Sequence, residues 1–183
     1  MIGAIVAGGL SEPTAPVTNS YESIASWSSS GSTVTFSTIP STYKHLQVRF
    51  YADLDTADRV LRMRINGVST TGTYAKHGLE GNGSSASAYG VDSSSATWLD
   101  VGYVPSAGSN PAVAVIDILD YANTSKYKTT RTLAGNDQNG AGLVGLYSGL
   151  YMSTSAITSI EFTINGSGSF ATGSSFALYG IKG

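Results

Sequence analysis

The feature that most constrains this chain is apolar side chains at every second position. Leu46, Val48 and Phe50 alternate with His45, Gln47, Arg49 and Tyr51. Leu61, Met63 and Ile65 alternate with Arg62 and Arg64, and Ile160, Phe162 and Ile164 with Glu161 and Thr163. Near the end Phe176 and Leu178 oppose Ala177, Tyr179 and Ile181. Successive strand residues point to opposite faces, so this period builds strands with one buried face. Weaker runs of the same kind cover 21–26, 33–37, 98–103, 113–119, 127–133 and 143–151. No stretch of ten residues carries a helical period, although 54–60 has room for one turn.

Turn chemistry separates the runs. Asn-Gly occurs at Asn66-Gly67, Asn82-Gly83, Asn139-Gly140 and Asn165-Gly166. This dipeptide tolerates positive φ at both central positions, as tight hairpins require. Asn66-Gly67 directly follows a clean strand and predicts a hairpin there. Residues 81–95, rich in Gly, Ser and Ala, read as a long loop, and 106–111 as another. The pattern predicts about eight to ten short strands in one antiparallel β-sandwich, with a jelly roll as its expected form.

The predicted domain runs from 20 to 183. Residues 1–19 form a short extended arm ahead of it, kept from helix by Pro13 and Pro16. The arm opens with an apolar stretch that no Lys or Arg precedes, so it does not read as a secretion signal. Such a stretch needs a docking place, and Ile2, Ile5 and Val6 are its expected partner-binding residues.

Charge is scarce. Asp, Glu, Lys and Arg make up 12% of the chain, about half the usual share. A surface so poor in charge has little to oppose association, and part of it is expected to be covered by copies or partners. The net charge of −2 gives no basic footprint for nucleic acid. No apolar run of about 20 residues predicts a membrane span. The chain has no cysteine, so disulfides, thiolate metal sites and a cysteine nucleophile are excluded.

Nothing in the sequence assembles a catalytic site, and the chain is not expected to be an enzyme. His45 lies on the polar side of a predicted strand beside Lys44, and His77 at a predicted strand end near Glu80; no local motif gives either a nucleophile. Asp53, Asp55 and Asp58 are close enough to suggest a calcium loop. Asp58 stands where an EF-hand needs Gly and Arg64 where it needs Glu, so solvated loop carboxylates are expected instead. Asp117 and Asp120 are three apart, which puts them on opposite strand faces; a strand-end cap, or a pair with an Arg on the next strand, is expected. No cofactor or metal is expected. Trp27, Trp98, Tyr89, Tyr103, Tyr147 and Tyr151 suit core and subunit contacts better than a sugar platform.

Several stretches together carry a resemblance. They are Ser-Tyr-Glu-Ser-Ile-Ala from Ser20, and Thr-Val-Thr-Phe-Ser-Thr-Ile-Pro-Ser-Thr-Tyr-Lys-His-Leu-Gln-Val-Arg from Thr33. Leu-Arg-Met-Arg-Ile-Asn-Gly follows from Leu61, and Val-Ile-Asp-Ile-Leu-Asp-Tyr-Ala-Asn-Thr-Ser-Lys-Tyr-Lys-Thr from Val115. A run beginning Leu-Tyr-Ser-Gly-Leu-Tyr-Met starts at Leu146, and Ser-Ser-Phe-Ala-Leu-Tyr-Gly-Ile-Lys-Gly starts at Ser174. Across 20–183 the chain resembles virion proteins of tailed bacteriophages, among them capsid decoration proteins, neck appendages and tail-fibre modules. The resemblance implies a jelly-roll oligomer, often a homotrimer, located on the virion. It implies the major capsid protein, with other head or neck proteins, as partners, and neither nucleic acid nor membrane. A capsid decoration, or cement, protein is the first expectation. A neck or tail-fibre module that reads host glycans near Tyr89 and Trp98 is the alternative.

Overall fold

The structure, a computed structural model, describes residues 20–106, 108 and 110–183. The predicted arm, with Ile2, Ile5 and Val6, lies outside the described residues. Twelve strands follow one another: β1 (Tyr21–Ser28), β2 (Thr33–Phe36), β3 (His45–Ala52), β4 (Arg59–Ile65), β5 (Tyr74–Gly81), β6 (Ala86–Val91), β7 (Leu99–Val104), β8 (Ala112–Ile118), β9 (Lys128–Asp137), β10 (Gly142–Tyr151), β11 (Ile160–Ile164) and β12 (Ser175–Ile181). No helix occurs among the described residues, and 54–60 is a bridge at Leu54, bends over 55–57 and the start of β4.

The strands form two antiparallel sheets packed as a sandwich. The larger has eight strands in the order β1-β12-β3-β8-β9-β10-β5-β6, and the smaller has four in the order β2-β11-β4-β7. β1-β12-β3-β8 facing β2-β11-β4-β7 is an order consistent with the expected jelly roll. The other four strands are two hairpins, β5–β6 and β9–β10, that continue the large sheet beyond β8. The large sheet therefore overhangs the small one. Its added strands β9, β10 and β5 pack on β7, the small sheet's edge.

Inward positions carry the period-two pattern. Leu46, Val48 and Phe50 from β3, Leu61, Met63 and Ile65 from β4, and Phe162 from β11 are all buried. Phe176 of β12 sits at the centre, with ring centroids 5.1 Å from Phe170, 5.2 Å from Phe50, 5.3 Å from Phe162 and 5.8 Å from Trp27. Edge-on and offset contacts of this kind add to the energy of burial alone.

Three details depart from the sequence reading. First, 81–95 is not one loop, because β6 forms within it and pairs with β5. Its small, exposed residues give no alternation of apolar and polar to detect. Second, Asn66-Gly67 makes a tight turn with φ of 53° and 68°, closed by Val68 N–H donating to Ile65 O at 3.1 Å. It is not a hairpin, since β4 pairs with β11 and β7 and never with β5. The turn passes the chain from one sheet to the other. The Asn66 carboxamide fixes it by accepting from Thr158 and Ser159 N–H and donating to Ala156 O. Tyr74 holds its other side through hydrogen bonds to Ile65 and Val68, and burial pushes the Tyr74 hydroxyl up to about 12. Third, the Asn-Gly that closes a two-residue hairpin is Asn139-Gly140, with φ of 58° and 96°, between β9 and β10.

One buried cation is satisfied without an acid. Lys128 is fully buried, and its ammonium donates to the carbonyls of Lys126, Ser153 and Thr154 at 3.0, 3.4 and 3.0 Å. Burial lowers its pKa. Three acceptors match the three donors of an ammonium, so Lys128 staples the start of β9 to the loop after β10.

Phe176→Ala opens a cavity among four aromatic rings and is expected to cost about 3–5 kcal/mol. Urea unfolding followed by tryptophan fluorescence checks this, because Trp27 lies against the cavity.

Candidate interaction surface

The outer faces of the two sheets differ sharply. On the small sheet the outward row Thr35, Glu161 and Arg64 runs across β2, β11 and β4, and Thr33, Thr163, Arg62 and Asp100 form the next row out to β7. Arg64 and Glu161 approach to 3.7 Å. This face is polar and charged, open at β2 and covered toward β7, where Arg62 and Asp100 join a buried cluster.

The large sheet presents aliphatic side chains instead. The register places Val115 of β8, Leu133 of β9, Leu146 of β10 and Leu79 of β5 side by side in one row. The neighbouring row runs Tyr51, Val113, Gly135, Val144 and Gly81 from β3 to β5. All of these large side chains are exposed, Leu133 by 60% and Val144 by 59%. Beyond β5 the rows end on Ala86 and Ala88 of β6. Single exposed aliphatics are common, but contiguous apolar rows on adjacent strands mark a contact surface.

The second row alternates large and small across the strands. Val113 and Val144 project, and Gly135 and Gly81 leave hollows beside them. One hollow, about 310 Å³, is bordered by Leu79, Gly81, Leu133, Val144 and Leu146. The other, about 450 Å³, lies between Val113, Gly135 and Val144 and reaches the Asn139-Gly140 turn. Below the apolar rows the face turns polar, with Gln47, Asp117, Arg131, Ser148 and His77 in register across β3 to β5.

The aromatics considered for sugar stacking are committed elsewhere. Tyr147 and Tyr151 are in the core, where burial raises the pKa of Tyr147. Trp27 packs on Phe170 and Phe176, and Tyr103 is half-buried on β7. Trp98 and Tyr89 close over a nearly buried ion pair at the edge of the sandwich. Lys76 Nζ and Asp100 Oδ1 lie 2.7 Å apart. The Trp98 indole donates to the same oxygen at 3.0 Å, and the Tyr89 hydroxyl to Oδ2 at 3.0 Å. The Arg62 guanidinium covers the Trp98 ring at 3.5 Å, with Lys76 4.9 Å from the ring centroid. Desolvation lowers Arg62, and burial, with Asp100 beside it, strongly raises Tyr89. Gly78 is needed here, since a Cβ on it would fall 2.3 Å from the Tyr89 ring. The cluster ties the β5–β6 hairpin to β7 and stacks the Arg62 guanidinium on the Trp98 ring.

The titratable residues singled out in the sequence are dispersed. His45 accepts from Asp120 N–H through Nδ1 at 2.9 Å. His77 is in the middle of β5, opposite Ser148 and Gly90, and not at a strand end. Asp53, Asp55 and Asp58 each accept from a different segment, namely Ser174 Oγ, Ser169 N–H and Ser106 N–H. They clamp loops and do not converge. Asp117 accepts from Gln47 Nε2 at 2.8 Å, and Gln47 in turn accepts from Arg49; Arg131 is its cross-strand neighbour. Asp120 lies beyond the end of β8 with φ of 48°. Lys126, and then Lys44 at 3.3 Å, hold its carboxyl below the ordinary value. No group of three His, Asp or Glu side chains gathers among the described residues.

The sequence reading missed the aliphatic face. Its signal was present, in Val113 and Val115 flanked by Ala, and in Leu143, Val144 and Leu146. The strand register was needed to bring them together. Set beside known protein families and curated proteins, the chain matches none.

Asp100→Ala leaves a buried ammonium unpaired and is expected to cost about 3–5 kcal/mol, against about 1 kcal/mol for Tyr89→Phe; urea midpoints of both variants check the ratio. Asp120 contributes stability that is present above its ordinary pKa of 3.8 and is lost as pH falls through the lower folded value. Asp120→Asn should therefore lower stability at neutral pH, leave it unchanged at pH below the folded value where Asp120 is protonated, and so flatten the acid limb; urea midpoints measured across that pH range check it.

Proposed function

We propose that this protein is a structural component of a phage virion, a capsid decoration protein that binds the assembled head as an oligomer. The observation that carries this reading is the aliphatic double row across β8, β9, β10 and β5, exposed on a surface otherwise poor in charge. Such a face suits a protein whose working state is an assembly. Burying half-exposed Leu or Val side chains returns about 1 kcal/mol each, enough in aggregate to hold neighbours together. The resemblance of 20–183 to tailed-phage virion proteins supplies the particle.

The proposed role is thermodynamic. A protein that binds the assembled shell and not its separated subunits shifts the balance toward the shell, and many copies add avidity. Contact with the major capsid protein is assigned to the arm, through Ile2, Ile5 and Val6. The glycan-reading alternative loses ground because Trp98 and Tyr89, its proposed platform, are occupied by Arg62 and Asp100.

The test uses heads lacking the protein, to which purified protein is added back. The full chain should sediment with the heads and raise their disruption temperature. Deleting 1–16 should lower occupancy at least about tenfold, which corresponds to about 1.4 kcal/mol per site. Unchanged occupancy would remove the arm from the contact. No binding of the full chain would remove the shell reading.

A further inference from the structure

We infer that the outer face of β8, β9, β10 and β5 is where a second copy of this chain stacks, sheet against sheet, about a two-fold axis. The inference deepens the oligomer of the proposed function and rests on that reading only for its purpose. The contact itself belongs to the isolated chain, so it succeeds or fails separately from particle binding.

The occupant follows from shape, area and charge. The row Val113, Gly135, Val144, Gly81 alternates projection and hollow at the strand spacing. A two-fold copy presents the same alternation reversed, so its Val144 can enter a glycine hollow while its own hollows receive Val144 of the first copy. Alternation of large and small at facing positions is what lets two layers interdigitate, and sheets stack face to face about 10 Å apart. Five strands about 4.8 Å apart and about 27 Å long, from β8 to β6, give a face of roughly 650 Å² in plan. Two such faces bury on the order of 1,300 Å², within the range of specific interfaces.

Charge fits the same occupant. Asp117 and Arg131 are cross-strand partners beside the apolar rows, so the rim carries both signs and sets no block of like charge against a second copy. The face also has no large aromatic between β8 and β5 and no charged side chain within its two apolar rows there. Its self-complementarity makes the contact isologous, which gives a closed pair in place of the trimer implied by resemblance.

The hollows supply a variant that separates specific interdigitation from general stickiness. Gly81 has ordinary backbone geometry, and a Cβ on it would meet only Val144 Cγ1 at 3.8 Å. Gly81→Ile therefore fits the single chain and makes the face more apolar, yet it fills the hollow. Sedimentation equilibrium on the full chain, from low micromolar to several hundred micromolar, should show a monomer–dimer equilibrium. Leu133→Asp should weaken it about thirtyfold or more, and Gly81→Ile about tenfold, both with circular dichroism and melting temperature unchanged at low micromolar concentration, where the chain is monomeric. Because the chain has no cysteine, single thiols give an independent reading. Val144→Cys should become protected from maleimide as concentration rises, and Thr35→Cys on the small sheet should not. A chain monomeric throughout, tighter association of Gly81→Ile, or a trimer indifferent to both substitutions would each overturn the inference.

Discussion

The two sheets are held together by aromatic contact around Phe176. Its ring meets Phe50 from β3, Phe162 from β11, Trp27 from β1 and Phe170 from the loop between β11 and β12. Trp27 and Phe50 bring in strands distant in sequence, and Phe162 joins β12 to the facing sheet. Without this knot the alternation along each strand would have a buried side and nothing to bury it against. The part of the molecule in which four strands face four depends on it. The overhanging half has a second anchor, the Lys76–Asp100 pair under Trp98 and Tyr89.

The overhang gives the molecule its asymmetry. Eight strands face four, so the hairpins β5–β6 and β9–β10 extend past the small sheet and wrap over β7. Their inner side is spent on Tyr147, Tyr151 and the buried ion pair. Their outer side holds Leu79, Leu133, Val144 and Leu146. The added strands thus create the wide flat area on which the proposed assembly depends, and a four-on-four sandwich would be too narrow for it.

Much of the fold was legible in the sequence. Strong alternation at 45–51, 61–65, 160–164 and 176–181 placed β3, β4, β11 and β12, because one side of each is buried and the other solvated. β6 was hidden because only Tyr89 and Val91 turn inward, at one end of a strand otherwise made of Ala, Ser and Gly, which is too short a period to read. The Asn66-Gly67 turn was legible as a turn but not as a crossover; φ is a local property, whereas the strand that follows is chosen by the core. The candidate surface was the least legible part. Leu133 and Leu146 are thirteen residues apart in sequence, and only the β9–β10 register makes them neighbours. The partner of Trp98 was equally illegible, since Arg62, whose guanidinium stacks on its ring, comes from another strand.

The position of Phe176 in the chain has a consequence for how the molecule comes to be made. β1 pairs with β12 and β2 with β11, so the first strands to leave the ribosome wait for the last two. Loop closure over most of the chain must be met before either pairing returns any energy. During that wait the local hairpins β5–β6 and β9–β10 are the parts able to form. They carry the aliphatic rows, uncovered, on their outer side. On the proposed assembly, the nascent chain would display its contact face before it has a core, and translation speed and local crowding of identical chains would decide whether it meets a finished copy or an unfinished one.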